Sequence, residues 1–197
     1  MIIHEMEQGT DEWLAIKLGK FSASNFCKLF MSETTQGYND IINQIVFERI
    51  TGKTPEFYVN DYMKRGTELE PIARQEYEFS TFTKVKQVGF IELNEWVGVS
   101  PDGLIGKDGM LEIKCPKYST LISQKLSQKV PKDYYWQMQG QMYVADRKWV
   151  DYYVYHPDLE PFLIRVERNE KDIEELRQKL DKAIESVTER INKLKEK

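Results

Sequence analysis

The stretch VGVSPDGLIGKDGMLEIKCPK, residues 97–117, places Asp102, Glu112 and Lys114 in an otherwise apolar run with a glycine-rich turn between them. An ionised carboxylate loses its hydration on burial unless it gains a partner or a metal. Side chains alternate across a strand, so Glu112 and Lys114 leave the strand read over 110–115 on one face. Whether Asp102 joins them depends on the turn. A two-residue Asp108-Gly109 loop opposes 103 to 114 and turns Asp102 away. A three-residue Lys107-Asp108-Gly109 loop with Gly109 left-handed opposes 106 to 110, 104 to 112 and 102 to 114, and gathers all three charges. The second register is expected because the first strands the charges; a bulge at Pro101-Asp102-Gly103 would restore the grouping if the turn differs.

Two acids and a lysine at a sheet edge suit a hard divalent cation such as Mg²⁺, which prefers oxygen ligands and keeps waters for a phosphate substrate. The lysine is not a ligand; it would hold or help deprotonate a water and stabilise charge on the phosphorus oxygens. The competing reading is a surface Glu112–Lys114 pair with Asp102 capping a turn. PDG, a short hairpin and EIK at the end of an apolar strand together favour the metal site.

Outward from this stretch, 197 residues that are 41% hydrophobic and 12% aromatic suit one domain, with parts expected at 1–60 (helical), 61–167 (catalytic sheet core) and 168–197 (C-terminal helix). Cys27 and Cys115 are far apart and outside any Cys-x-x-Cys pair, which signals neither a disulfide framework nor a zinc site and points to a reducing cytosol. The charged, broken start and the lack of any run of membrane-span length predict a chain that is neither secreted nor inserted. A net charge of −4 argues against a protein that coats nucleic acid over its whole surface. Charge is unevenly spread, however: Lys114, Lys117, Lys125, Lys129 and Lys132 fall in a stretch, Ile113 to Lys132, that contains no acid. Such a strip suits a confined groove for a polyanion or a solvated lysine-rich loop.

Helices are expected over 11–18 with Gly19 as stop, over the serine-led 22–32, over 38–50 with Ile41, Ile42, Ile45, Val46 and Ile50 at helical spacing, over 60–79 with Leu69, Ile72, Ala73 and Tyr77 on one side and Pro71 as a kink or true start, and over 133–146. Strands are expected over 84–93, 96–105 and 110–115, and as a hairpin of 148–155 with 161–167. From Asn169 onward a charged helix carries Ile173, Leu180, Val187 and Leu194 seven residues apart, a stripe for the body or a neighbouring subunit, while its companion line of Leu176, Ala183 and Arg190 weakens. The fold class is α/β (α+β), a central mixed sheet flanked by helices.

The motif SPDG…LEIKCP resembles that of the PD-(D/E)xK nuclease superfamily, and three further motifs in the same order, WLAIKLGKFSAS (13–24), RGTELEPIAR (65–74) and YYWQMQGQMYV (134–144), resemble its phage-recombination branch of lambda-exonuclease and YqaJ-type recombinases. The resemblance implies a restriction-endonuclease-like core. It implies that Asp102 and Glu112 are metal ligands, that the Ile113 carbonyl adds an oxygen, that Lys114 is catalytic, and that Glu70, with Glu68 as a rival, completes a second metal position. Up to two Mg²⁺ ions are implied, with Mn²⁺ as a substitute. Gln137 matches a glutamine that contacts the site from the following helix; Gln141 lies one turn further along the same face. Ser100, Ser24 and Lys117 are placed near the DNA. Lys17 stands where relatives usually carry an arginine that grips the 5′-phosphate, and lysine lacks the two-pronged contact.

The activity so implied is 5′→3′ digestion of one strand of linear duplex DNA, leaving 3′ tails for recombination, by a ring-shaped homo-oligomer, trimer favoured, with a single-strand annealing protein as partner, in the cytosol of a bacterial host of phage or prophage. An endonuclease or repair nuclease of the same superfamily is the alternative; the iron–sulfur type needs four cysteines. A non-catalytic DNA-end-binding module is the reading from another class.

Overall fold

The computed structural model describes residues 1–55 and 61–196, and only the backbone of 61–63. Two sheets carry the fold. The larger has the order β3-β6-β7-β8-β9, formed by Val85–Lys86, Gly103–Ile105, Gly109–Lys114, Trp149–His156 and Leu159–Glu167. The smaller has the order β1-β4-β5-β2, formed by Ile2–His4, Phe90–Glu92, Val97–Val99 and Phe21–Ser22. Six α-helices, α1 Asp11–Lys17, α2 Gln36–Thr51, α3 Asp61–Thr81, α4 Tyr118–Ser127, α5 Lys132–Ala145 and α6 Glu170–Lys195, and a 3₁₀ segment Ala23–Phe30 complete the described residues.

The two strands expected over 84–93 and 96–105 are each cut in two, and the pieces belong to different sheets. The second cut falls at Ser100-Pro101-Asp102. Proline has no N–H to give a ladder, so the chain leaves the small sheet there and enters the large one at Gly103. The first falls at Gly89, where a Cβ would lie 2.4 Å from Met6. Local periodicity runs through both cuts, because an apolar residue reads alike in either sheet. β1, β2 and α4 carry too little periodicity to be read from sequence.

β7 sits at the centre of the large sheet, antiparallel to β6 and parallel to β8. A parallel neighbour needs a long crossover, and α4 and α5 supply it. The helix expected from residue 60 is described from Asp61 and continues through Pro71 to Thr81; residue 60 itself lies outside the described residues. α6, capped by Asn169 on the N–H groups of Lys171 and Asp172, packs Ile173, Leu176, Leu180, Ala183 and Val187 into the core. The stripe therefore belongs to the body. Arg190 extends that contact, donating to Asn43 at 2.6 Å and Asn39 at 2.7 Å on α2. Leu194, Ile50 and Ile72, all expected inward, are exposed.

Candidate active site

The hairpin that carries the opening motif is built in a register two residues from the expected one. Ile105 opposes Gly109 and Gly103 opposes Leu111, so the loop is Gly106-Lys107-Asp108 and the left-handed residue is Gly106, with φ +52°. Gly109 is needed for another reason. A Cβ there would lie 2.2 Å from the Trp149 ring. A shift of two preserves the face of every side chain, so the expected grouping survives with Asp102 brought opposite Glu112 rather than Lys114.

Glu112 is 1% exposed, and three donors converge on its carboxylate. Lys114 Nζ lies 2.6 Å from Oε1, Gln137 Nε2 donates to Oε1 at 2.6 Å, and Gln141 Nε2 donates to Oε2 at 2.6 Å. The two glutamines sit one helical turn apart on α5, and the structure uses both. Only Gln137 was singled out from sequence; the i, i+4 spacing was the available sign of the second. Gln141 is fully buried, and its Oε1 has no hydrogen-bond partner among the described residues.

Asp102 follows the Pro101 break and accepts the Ile113 N–H on Oδ2 at 2.6 Å. It takes the place a strand would fill beside β7, since β6 begins only at Gly103. In an extended strand the N–H and C=O of one residue leave by the same edge, so the Ile113 carbonyl also faces the Asp102 side. Oδ1 of Asp102 carries no hydrogen bond among the described residues.

A cleft of about 810 Å³ opens here, lined by Glu70, Asp102, Ile113, Lys114, Lys117 and Tyr134 among others. Glu70 comes from α3 and is bonded to Arg74 one turn on; Glu68 is exposed and absent from the lining. Arg65, not singled out from sequence, donates to the carbonyl of Pro116 at 3.2 Å and ties α3 to the chain just past Lys114. Tyr134 faces Lys114, whose Nζ is 4.7 Å from the ring centre.

Electrostatics mark the cleft as a place where buried carboxylates crowd one another. Burial pushes the Asp102 carboxyl well above its usual range, and the Glu112 and Glu70 carboxylates push it further the same way. Burial also raises Glu70, against the pull of Arg74. For Lys114 burial favours the neutral amine, but Glu112 and Asp102 overcome it and hold the ammonium above its ordinary range. Asp102, Glu112 and Glu70 thus act on one another, with Lys114 and Arg74 as the cations that oppose them, and Lys117 also lines the cleft.

No three His, Cys, Asp or Glu side chains among the described residues are placed to hold a metal ion by themselves. Asp102, Glu112 and the Ile113 carbonyl make an all-oxygen, partial set. That donor set fits Mg²⁺, which keeps several waters and shares its remaining positions with phosphate.

Of the remaining expected residues, Lys17 and Ser100 form a separate group, and Ser24 stands apart from it. Lys17 Nζ stands 3.4 Å from the centre of the Trp13 ring, and the Trp13 indole N–H donates to Ser100 Oγ at 2.9 Å and to the Gly89 carbonyl at 3.0 Å. Lys17 and Ser100 are therefore linked through one tryptophan. Burial lowers the Lys17 ammonium to about 8, against the pull of Glu48. Ser24 is exposed, its hydroxyl 3.2 Å from that of Ser22, with no bond to Lys17 among the described residues.

This fold, with two acids and a lysine gathered at the central strand of a mixed sheet, defines the class of PD-(D/E)xK deoxyribonucleases. The sequence profile of the YqaJ-like viral recombinase domain matches residues 12–148, and the chain belongs to that family. It is similar to an alkaline exonuclease, LHK-Exo, from Laribacter hongkongensis, at 34% identity and TM-score 0.89 over 95% of this chain and 97% of that one, and equally to the same protein solved in complex with dAMP. A phage-related exonuclease from Haemophilus somnus 129PT shares the fold at TM-score 0.68 and 16% identity, over 89% of this chain and 96% of that one. No curated protein matches at comparable significance.

Proposed function

We propose that this deoxyribonuclease digests the 5′-ended strand of linear duplex DNA in the 5′→3′ direction and leaves 3′ single-stranded tails for phage-type recombination. The observation that carries the hydrolytic part is the convergence of Lys114, Gln137 and Gln141 on buried Glu112, opposite Asp102, beside a cleft lined by Asp102, Glu70 and Lys114. Asp102, Glu112 and the Ile113 carbonyl would hold a Mg²⁺ ion, with Glu70 toward a second and Mn²⁺ as a substitute. The metal supplies polarisation of the scissile phosphate and a lowered pKa for the attacking water. Gln137 and Gln141 fix the direction of Glu112, as partners of a metal-holding carboxylate do. Lys114, charged and held in place, orients the water and stabilises negative charge on the phosphorus oxygens.

Lys17 on Trp13 would receive the terminal 5′-phosphate, with Ser100 joined to it through the indole and Ser24 and Lys117 contacting the strand. A relative at 34% identity that was solved with dAMP supports a deoxynucleotide substrate. A homo-oligomeric ring, a trimer favoured, an annealing-protein partner and a place in the cytosol of a phage-bearing bacterium complete the proposal.

The test incubates purified protein with linear and circular duplexes, labelled at the 5′ or the 3′ end, with Mg²⁺ or a chelator. Early release of 5′ label from linear DNA in Mg²⁺ alone is expected. Cutting of circular DNA at the linear rate would make the enzyme an endonuclease, and early loss of the 3′ label would reverse the polarity.

A further inference from the structure

Helix α4 has three unlike faces. Leu121 and Gln124 are buried, and Gln124 Oε1 accepts from the Tyr152 hydroxyl at 2.9 Å. Tyr118, Ile122 and Leu126, four residues apart, are exposed by 63%, 43% and 81%. At 1.5 Å per residue they make an apolar ridge about 12 Å long. Beside it, Ser119, Thr120, Ser123, Ser127 and Lys129 line a groove of about 520 Å³. Thr120 lines the catalytic cleft as well, so ridge and groove begin at the mouth of the site.

The groove's chemistry is that of an anion track. Between Ile113 and Lys132 the chain has no acid. Glu160, from β9, reaches α4 and takes up Lys125 at 2.7 Å, which leaves Lys129 without an ion pair among the described residues. Ser123 and Ser127 donate to the helix carbonyls of Ser119, at 3.0 Å, and Gln124, at 3.1 Å. Among the described residues, Ser119, Thr120, Lys129 and the Gln124 amide are the side-chain donors of the groove that remain.

A groove lined by hydroxyls, one lysine, Val130 and Pro131, beside an exposed apolar ridge, matches an unpaired nucleic-acid strand. Its phosphates take cations and hydroxyls, and its bases offer flat apolar faces to side chains such as Tyr118. A duplex keeps its bases stacked and would leave the ridge wet. An acidic protein segment or a second copy of this chain would also cover the ridge, but neither explains why the groove opens into the cleft. We infer that α4 guides an unpaired DNA strand at the mouth of the catalytic cleft, with bases against Tyr118, Ile122 and Leu126 and the backbone beside Ser119, Thr120 and Lys129. The inference rests on the proposed deoxyribonuclease activity and adds the 3′-ended strand left by digestion as the occupant.

The experiment uses the full chain carrying Asp102→Asn, so that DNA survives the measurement. Fluorescence anisotropy compares a blunt duplex with one bearing a 3′ tail of about ten nucleotides, within the site sizes of single-strand binders. Tailed DNA should bind about tenfold more tightly, the worth of stacking one or two bases. Tyr118→Ser with Leu126→Ser, and separately Lys129→Glu, should bring that ratio close to one while thermal unfolding stays cooperative. A ratio of one in the parent, or a ratio that survives both sets of substitutions, overturns the inference. So does a change of oligomeric state in the Tyr118→Ser, Leu126→Ser protein, which would assign the ridge to a subunit contact. Degradation of DNA by the Asp102→Asn parent would instead sink the proposed function, so the two failures are distinct.

Discussion

Two buried carboxylates stand on adjacent strands of the large sheet, on opposite faces: Glu112 on β7, 1% exposed, and Asp151 on β8, 2% exposed. Asp151 accepts from Arg165 Nε at 2.8 Å, from Arg165 Nη2 at 2.9 Å and from the Tyr77 hydroxyl at 2.6 Å, and Arg165 lies over the Trp149 ring at 3.6 Å. One negative charge meets one fixed positive charge, in two-pronged geometry, and the account closes. Glu112 has as many donors but shares its surroundings with Asp102 and Glu70, whose carboxyls are raised by burial and by their carboxylate neighbours despite Lys114 and Arg74. Burial is the same at both places. What separates them is the company of like charges: the Asp151 cluster is a closed ion pair and a structural tie, and the Glu112 cluster is the one to which the proposed function assigns a cation.

The sharpest break of this comparison is Glu112→Gln or Asp102→Asn. Hydrolysis should vanish, while thermal stability in chelator holds or rises, because each change relieves carboxylate repulsion. Single-turnover assays and unfolding curves check both halves; turnover at the wild-type rate would reduce the Glu112 cluster to a second structural tie. Lys114→Ala comes next, slowing the single-turnover rate by about 10²–10⁴-fold with the Mg²⁺ requirement kept.

Asp151→Ala should do the reverse. Breaking a buried pair costs about 3–5 kcal/mol. Since the Arg165 side chain is 48% exposed and can regain water, a loss nearer about 2–3 kcal/mol is expected, with activity per folded molecule preserved well below the melting temperature. Denaturant unfolding with parallel rate measurements checks it.

Gln141→Leu sharpens the contrast inside the site. It removes one bond to Glu112 and also the carbonyl that has no partner among the described residues, so stability should hold while activity falls about tenfold and half-maximal rate needs more Mg²⁺. An unchanged Mg²⁺ titration would make Gln141 a packing residue.

The smallest effect concerns Lys17. Its ammonium is lowered to about 8, so it is charged below that pH and neutral above it. The preference for 5′-phosphorylated over 5′-hydroxyl ends, measured as a ratio of kcat/KM, should therefore fall as pH rises through about 8, and in Lys17→Arg it should stay flat over that range. A ratio indifferent to pH in the wild type would leave Lys17 as a partner of Trp13 only.

Alternation along a strand is a property of the strand itself, so the shared face of Asp102, Glu112 and Lys114 was legible in residues 97–117, and it survived an error of two in the register because the side-chain period is two. Helices α2, α5 and α6 were legible for the same reason, since their burial repeats within a few residues. Which of three glycines turns left-handed was not, because Gly109 is required by Trp149, forty residues away in the chain. Nor was the division of 84–105 between two sheets, the bonding of Gln141 to Glu112 across 29 residues, the 74 residues between Tyr77 and Asp151, or the Trp13 link from Lys17 to Ser100. By itself the sequence determined which chemistry the chain carries and which face carries it, through periods that neighbours enforce. The tertiary structure alone decided which buried carboxylate stands with one fixed cation and which stands among other carboxylates, because a charge finds its partner by packing, and packing joins residues that no local period connects.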